Sequence, residues 1–203
     1  MSHSKQSNDN QEITLATYER GVLDYASRTK SEVTDEIKRY LDSILEHVPK
    51  TAAILEIGSA TGRDADYIES LGYKIDRSDV VDGFIELQQK AGHAVHKFNV
   101  LTDSLPNTYD LIIASAVFLH FTEEQFVVAL ENVRNHLNEN GMFVLSVKEG
   151  VGEEYSTHKM HAKRYFRYWQ EDELREKLIA NNFTVEKIAL FENDKWLVAF
   201  IRK

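Results

Sequence analysis

The sequence predicts an α/β fold: a seven-stranded, mostly parallel sheet with helices on both faces and an antiparallel strand near the C-terminal end. Three observations carry this prediction. Short apolar runs alternate with helical patterns along the chain, which is how a parallel sheet with crossover helices is written. The first run, Ala52 to Ile57, is a short apolar run bounded by a glycine-containing loop, as a strand covered on both faces is. The last two runs, Phe183 to Phe191 and Trp196 to Ile201, are joined only by Glu192 to Lys195. A parallel crossover needs about a dozen residues, so this final pair is antiparallel.

Taken in order, Met1 to Gln11 is polar with no apolar core, and residues 1–12 read as a disordered tail rather than a secretory signal. Residues 13–203 then form one domain, in which 13–50 supply a helical lid and a helix. Tyr18, Val22 and Tyr25 recur at helical spacing, as do Val33, Ile37, Leu41, Ile44 and Leu45. Ser31 and Thr34 offer start signals for the second helix and Pro49 closes it. After the first strand the chain reads as helix (Asp64 to Leu71), strand (Tyr73 to Asp79), helix (Gly83 to Ala91) and strand (Ala94 to Val100). Strand (Tyr109 to Ala114), helix (Glu123 to Leu137) and strand (Gly141 to Val147) follow. Lys148 to Tyr168 is irregular, and a last helix, Glu171 to Ala180, precedes the two closing strands. No repeat or interdomain linker interrupts the pattern.

The 203 residues suffice for one sizeable core, and no apolar run approaches the roughly 18 to 20 residues of a membrane span. There is no cysteine, which excludes disulfides, thiolate zinc sites and a cysteine nucleophile and fits a cytoplasmic location. A formal net charge of -9 argues against a large phosphate-backbone footprint, so no DNA partner is expected. The one basic cluster, Lys159, Lys163, Arg164 and Arg167, reads equally well as a solvated face.

The chemistry concentrates at Glu56-Ile57-Gly58-Ser59-Ala60-Thr61-Gly62, between the first strand and a helix. Gly58 permits a sharp turn where a side chain would collide with a ligand, and Gly62 lets the helix approach the strand. A dinucleotide site wants Gly-x-Gly-x-x-Gly. Here the spacing is Glu-x-Gly-x-x-x-Gly, and the acid before the first glycine repels a pyrophosphate but suits a cofactor carrying an amine and a sulfonium.

At this loop the chain resembles the class I S-adenosylmethionine-dependent methyltransferases, and the resemblance runs from about Tyr18 to the C-terminal end. It implies a Rossmann-like fold and S-adenosylmethionine as cofactor, with S-adenosylhomocysteine as its product. It also implies that Glu56, Gly58, Ser59, Ala60 and Gly62 line the methionine and ribose part. Asp79, twenty-one positions after Gly58, is placed to accept from the ribose hydroxyls; the competing reading is a cap on the next helix. Val80 and Ser115 complete that set. The chain departs from the family at two points: Ala60 stands for the middle glycine, and Asn99 stands for the acid that meets the adenine amine. The Asn99 carbonyl still accepts, with the Val100 backbone at the adenine edge. Thr61-Gly62-Arg63-Asp64 is similar to a bacterial subgroup of small methyltransferases, as are Val117 to His120, Ser146 to Gly150, Arg164-Tyr165-Phe166 and Trp196 to Ala199. Arg63 there pairs with the cofactor's carboxylate or, on the bland reading, forms a surface salt bridge. The N-terminal tyrosines, Tyr18 and Tyr25, would lie over the cofactor as a lid or pack as core.

Methyl transfer from a sulfonium is an in-line displacement in which positioning carries most of the rate. His120, past the fourth strand, is the candidate base, against a packing role beside the cofactor. The stretch Lys148 to Tyr168 is the expected acceptor wall, with Lys148, Glu149, His158, His161, Arg164 and Tyr165 as its contacts alongside Tyr18. His158 and His161 lack further ligands, so no metal is expected. Ala114-Ser115-Ala116-Val117 lacks the Asn/Asp-Pro-Pro-aromatic run of nucleobase methylation. A small-molecule oxygen, nitrogen or carbon acceptor is therefore expected. The rivals are RNA or protein methylation, a non-catalytic cofactor-binding sensor and, last, a nicotinamide dehydrogenase.

Overall fold

The computed structural model describes residues 2–191 and 195–203, with side chains from Asp9 onward. Its spine is the expected sheet. Strands β1 (Ile54–Ile57), β2 (Ile75–Asp79), β3 (Val95–Lys97), β4 (Tyr109–Ala114) and β5 (Leu137–Glu149) are parallel, in the order β3-β2-β1-β4-β5. Beyond β5 lies β9 (Trp196–Arg202), antiparallel to it, and then β8 (Thr184–Phe191), antiparallel to β9. The connection expected at 192–195 falls mostly outside the described residues.

Apolar runs become two-sided strands because successive side chains point to opposite faces. Ile54, Leu111, Val144 and Val198 join the cluster under helix α3 (Asp35–Leu45) and helix α4 (Arg63–Ser70). Their neighbours Leu55, Ile112, Phe143 and Ala199 join the cluster under α6 (Glu123–His136) and α7 (Glu171–Ala180). A third, smaller cluster forms where α2 (Val22–Arg28) meets α5 (Asp82–Lys90), through Val22, Val81 and Phe84. Thr34 is the N-cap of α3, accepting from the Ile37 N–H, and Thr122 caps α6 in a reciprocal capping box with Gln125.

Two parts differ from expectation. The stretch read as irregular contains a hairpin of β6 (Glu153–Ser156) and β7 (Arg164–Trp169). At Lys148 strand β5 pairs with Trp196 of β9 on one flank and Tyr168 of β7 on the other. The hairpin therefore takes over the β4 flank past Ala114, where β4 ends, and overhangs the C-terminal edge of the parallel strands. The second difference is at the start: α1 runs Ser2–Arg20, where a tail over 1–12 was expected, and Asn10 is buried. The face α1 turns to the hairpin is polar, while Leu15 and Tyr18 pack on the cluster of Val22, Val81 and Phe84. Asn10 accepts from the Tyr155 hydroxyl, Thr14 from the Tyr165 N–H, and Thr17 donates to the Lys163 carbonyl. Helix α1 is thereby stitched to the hairpin across the sheet edge where ligands of such folds bind.

Candidate active site

At that edge β1 turns into α4 through the glycine loop. Gly58 (φ +74) and Gly62 (φ +81) both take the left-handed conformation, and a Cβ on Gly58 would stand 2.5 Å from Val117 Cγ2. A Cβ on Gly62 would come within 2.7 Å of Arg77 Nη1 and Gln88 Oε1, so this glycine seats the loop on β2 and α5. The alanine between them, Ala60, is also left-handed at φ 47, which is the physical reason a glycine is usual there.

The loop is pinned to β2. Gly58 N and Ser59 N both donate to the Ser78 carbonyl at 2.9 Å. Ala60 N donates to Asp79 Oδ2 at 2.8 Å, and Val81 N donates to Asp79 Oδ1 at 2.9 Å. Each Asp79 oxygen keeps a lone pair for a ligand. Burial pushes the Asp79 carboxyl up to about 6 despite these bonds, and Asp79 faces the cavity. Arg77 and Gln88 brace the loop from behind: Arg77 Nη1 donates to Gln88 Oε1, and Gln88 Nε2 to the Ala60 carbonyl. Sequence reasoning missed both. The signal was weak, because Arg77 sits in the polar run Asp76-Arg77-Ser78-Asp79, where an arginine reads as an edge position.

Glu56 lies under the loop rather than on the cavity wall, with Oε2 buried and without a hydrogen-bond partner. Burial, and next the charge of Asp64, push its carboxyl up to about 8. A cation bound over the loop would lower that cost by favouring the ionised carboxylate.

The cavity above the loop has a volume of about 500 Å³, within the range of small-molecule sites. Of the residues expected to hold a cofactor, Tyr25, Gly58, Ala60, Arg63, Asp79, Val80, Asn99, Val100 and Ser115 stand on its wall. Glu56, Ser59 and Gly62 do not, because the turn of the loop aims them at the strands beneath. Arg63 Nε is held by Asp64 Oδ1 at 2.7 Å, so the neighbouring salt bridge and the cavity-facing position coexist. Asn99 Oδ1 already accepts from Leu101 N at 3.0 Å, leaving one lone pair of that carbonyl for an amine.

Of the residues expected at the acceptor, Tyr18, Lys148, His158, Arg164 and His120 line the cavity, and Glu149, His161 and Tyr165 do not. Alternation along β7 explains Tyr165: Arg164 and Phe166 point into the cavity, so Tyr165 points away, against Tyr155. Glu149 lies 3.7 Å from Lys195 at the far end of β5, and His161 Nε2 accepts from Arg28 Nη1 at 2.8 Å. Two members of the basic cluster are buried, not solvated: Arg164 is 5% exposed and Arg167 is 9% exposed. Lys159, which the sequence offered only as part of that cluster, stands on the wall.

His120 sits in a hydrogen-bonded chain. Its Nδ1 lies 2.7 Å from the Tyr165 carbonyl, which only accepts, so Nδ1 carries the proton. Nε2 is then the acceptor, 3.0 Å from the Tyr18 hydroxyl, and Tyr18 in turn accepts from Arg164 Nη1 at 2.9 Å. Burial holds the imidazole down to about 4, with the Arg164 charge adding to the effect. The ring is neutral at physiological pH, and its lone pair faces Tyr18 rather than open cavity. Along these bonds His120 Nε2 is linked to the cavity through the Tyr18 hydroxyl.

A lid closes the cavity. Gly21, between α1 and α2, lies so near the hairpin tip that a Cβ there would meet Met160 Cε at 2.3 Å. Lys159 Nζ rests 3.8 Å over the Tyr25 ring, and Tyr25 packs edge-on to Tyr18 and Phe84.

A parallel sheet closed by one antiparallel strand, with a glycine loop, an acid ending β2 and a lidded cavity at the strand ends, is the class I methyltransferase fold. The family profile described as methyltransferase domain matches residues 25–188, and the chain belongs to that family. Among solved structures it is similar to the 1,6-didemethyltoxoflavin-N1-methyltransferase of Burkholderia thailandensis, bound to 1,6-didemethyltoxoflavin and S-adenosylhomocysteine. There the TM-score is 0.76 at 20% identity, over 97% of this chain and 90% of that one. The magnesium protoporphyrin IX methyltransferase of Synechocystis PCC 6803, with S-adenosylmethionine bound, gives 0.74 at 13% identity over 96% and 97%. The glycopeptide N-methyltransferase MtfA with S-adenosylmethionine gives 0.68 at 14% identity over 82% and 92%. No curated protein matches the chain in sequence. Among the described residues no helix is long and apolar enough to cross a membrane.

Proposed function

We propose that this chain transfers a methyl group from S-adenosylmethionine to a small-molecule acceptor by in-line displacement. The observation that carries the proposal is the position of Asp79. Its carboxylate is fixed by two backbone N–H groups at the end of β2 and still faces a cavity of about 500 Å³ under a lid. The cofactor supplies an activated methyl on a sulfonium. Asp79 would accept from its ribose hydroxyls, Arg63 would meet its carboxylate, and the field of Glu56 would favour its ammonium. Val100 and Asn99 stand where a flat base would lie.

The remaining work belongs to the wall. Tyr18, Tyr25 and the hairpin exclude water, which favours displacement at a cationic centre over hydrolysis. An acceptor that loses a proton would give it to the Tyr18 oxygen while the Tyr18 proton passes to His120 Nε2. Arg164, donating to the Tyr18 hydroxyl, would hold that oxygen in place as the two protons move. A base held near 4 takes up a proton efficiently only from a group that turns strongly acidic as the methyl arrives, such as a weakly basic aromatic or heteroaromatic nitrogen becoming a cation. The enclosure by α1 and the hairpin favours a small molecule over RNA or folded protein.

Calorimetry with S-adenosylmethionine and S-adenosylhomocysteine, followed by a metabolite-library screen scored by S-adenosylhomocysteine release, tests the proposal. Binding and acceptor-dependent release are expected. Absence of binding, with a nicotinamide cofactor binding instead, refutes it. Binding with no turnover across the library points to a sensor.

A further inference from the structure

We propose that the methyl acceptor is an anion whose carboxylate or phosphate group is held by Lys159 and Arg164 of the β6–β7 hairpin. The inference rests on the cofactor reading above and names the substrate class of the same cavity. It starts from how this protein treats its buried guanidinium groups. Arg77, 1% exposed, meets Asp66 at 2.7 Å and Glu69 at 2.6 Å. Arg167 meets Glu173 at 2.6 Å, Glu123 at 3.1 Å and Glu153 at 3.4 Å. Arg164 is comparably buried, 5% exposed, and among the described residues no carboxylate pairs with it. Its Nη1 donates to the Tyr18 hydroxyl, its Nη2 to the His158 carbonyl, and its Nε has no partner. A guanidinium removed from water without an anion is costly, and here it is the one that faces the cavity.

Lys159 adds a second uncompensated cation. Its Nζ has the Thr29 hydroxyl at 3.0 Å and the face of Tyr25, and no carboxylate pairs with it among the described residues. Burial, and then the charges of Arg63 and Arg164, lower its ammonium to about 8. Cations crowd this side of the cavity, and the one carboxylate on the described wall, Asp79, is engaged with the glycine loop. The cofactor brings one carboxylate, for which Arg63 at the start of α4 is the nearer claimant, adjoining the loop. That leaves the hairpin pair for the acceptor. An anion there also stands beside Tyr18 and His120, which carry the proton chain.

The test uses the protein saturated with S-adenosylhomocysteine and three probes of similar size: benzoate, phenyl phosphate and neutral benzamide. Affinities come from ligand-observed NMR. At least one anion is expected to bind about tenfold or more tightly than benzamide, as one charge-assisted contact allows. Which anion binds better separates a carboxylate site from a phosphate site. Lys159→Met should bring anion and amide to within about threefold of each other, and Lys159→Glu should exclude the anions. Lys163→Met, on the exposed side of the same hairpin, should leave the preference intact. S-adenosylhomocysteine affinity of the Lys159 variants should stay near wild type, which also reports their folding. The proposal is overturned if the wild type shows no anion preference, or if that preference survives both Lys159 substitutions. It is also overturned if Lys159→Met instead weakens S-adenosylhomocysteine, since the cofactor's own carboxylate then occupies the pair. Failure of S-adenosylhomocysteine to bind the wild type removes the cofactor reading and this subsite with it. Its binding without anion preference removes the subsite alone.

Discussion

Asp79→Asn separates what the buried carboxylate costs the empty protein from what it contributes to cofactor binding. Asp79 is 5% exposed, and its carboxyl rises from 3.8 in the unfolded chain to about 6 in the fold, chiefly through burial. That difference corresponds to about 3 kcal/mol of lost stability once the group is ionised in both states. Because the folded value is the higher one, the stability is fully present below 3.8 and is lost as pH rises through about 6. Wild-type stability should therefore fall between about pH 4 and pH 7 by more than that of the Asn variant. At neutral pH the variant gains by losing the buried charge. It also turns an amide N–H toward Ala60 N or Val81 N, costing about 1–3 kcal/mol, so the two stabilities end close together. Cofactor binding moves one way only. The asparagine keeps one acceptor oxygen, so losing one ribose bond and the charge behind the other, at about 1.5 and about 1 kcal/mol, predicts S-adenosylhomocysteine affinity about 50-fold weaker. Urea denaturation across pH measures the first effect and calorimetry the second. Parallel pH–stability curves for the two proteins would refute the buried, ionised Asp79, and unchanged affinity would refute its ribose role.

Three further outcomes follow from the same geometry. Tyr18→Phe keeps the ring against Tyr25 and Phe84 but cuts the chain to His120. With a protonated acceptor, kcat should fall about 10- to 100-fold while S-adenosylhomocysteine affinity changes little; an unchanged kcat removes the relay. Ala60→Gly relaxes a left-handed alanine and should raise stability by up to about 1 kcal/mol, or about 2–4 °C in Tm, read by calorimetric scanning. A lower Tm would mean that the Ala60 methyl packs better than its backbone is strained. Thr14→Val removes the acceptor for the Tyr165 N–H and should cost about 1–3 kcal/mol. Limited proteolysis should then cut within α1 sooner than in wild type; equal rates would show that α1 is not held through this bond.

The centre of the sheet was legible because β1 and β4 are mostly apolar and buried on both faces, so Ile54–Ile57 and Tyr109–Ala114 stand out from their surroundings. The cofactor half of the site was legible for a related reason: glycine spacing and a strand-end acid are local patterns. A helical lid over 13–50 was expected, but how its first helix docks on the hairpin was not legible. Asn10, Thr14 and Thr17 are buried at helical spacing on α1, but they are polar, and periodicity of hydrophobic residues cannot register a face that packs through hydrogen bonds. The hairpin escaped for the same reason. Glu153 and Glu154 open β6, and the buried residues of β7 include Arg164 and Arg167, charges whose burial depends on partners distant in sequence. The proton chain joins Tyr18, His120 and Arg164, separated by 102 and 146 positions, and no local reading brings them together.

The insertion of β9 between β5 and β8 bears on the order in which the molecule assembles. Strand β8 pairs with no strand but β9 among the described residues, so α7 and β8 have no edge to dock on until the later strand is in place. Strand β5, in the middle of the sheet, likewise waits for residues 196–202 to cover its open flank. The sheet cannot zip up in the order the chain is made. Its closing step is a contact spanning some fifty residues, the kind of long-range pairing that slows folding and leaves an apolar edge exposed in the interim.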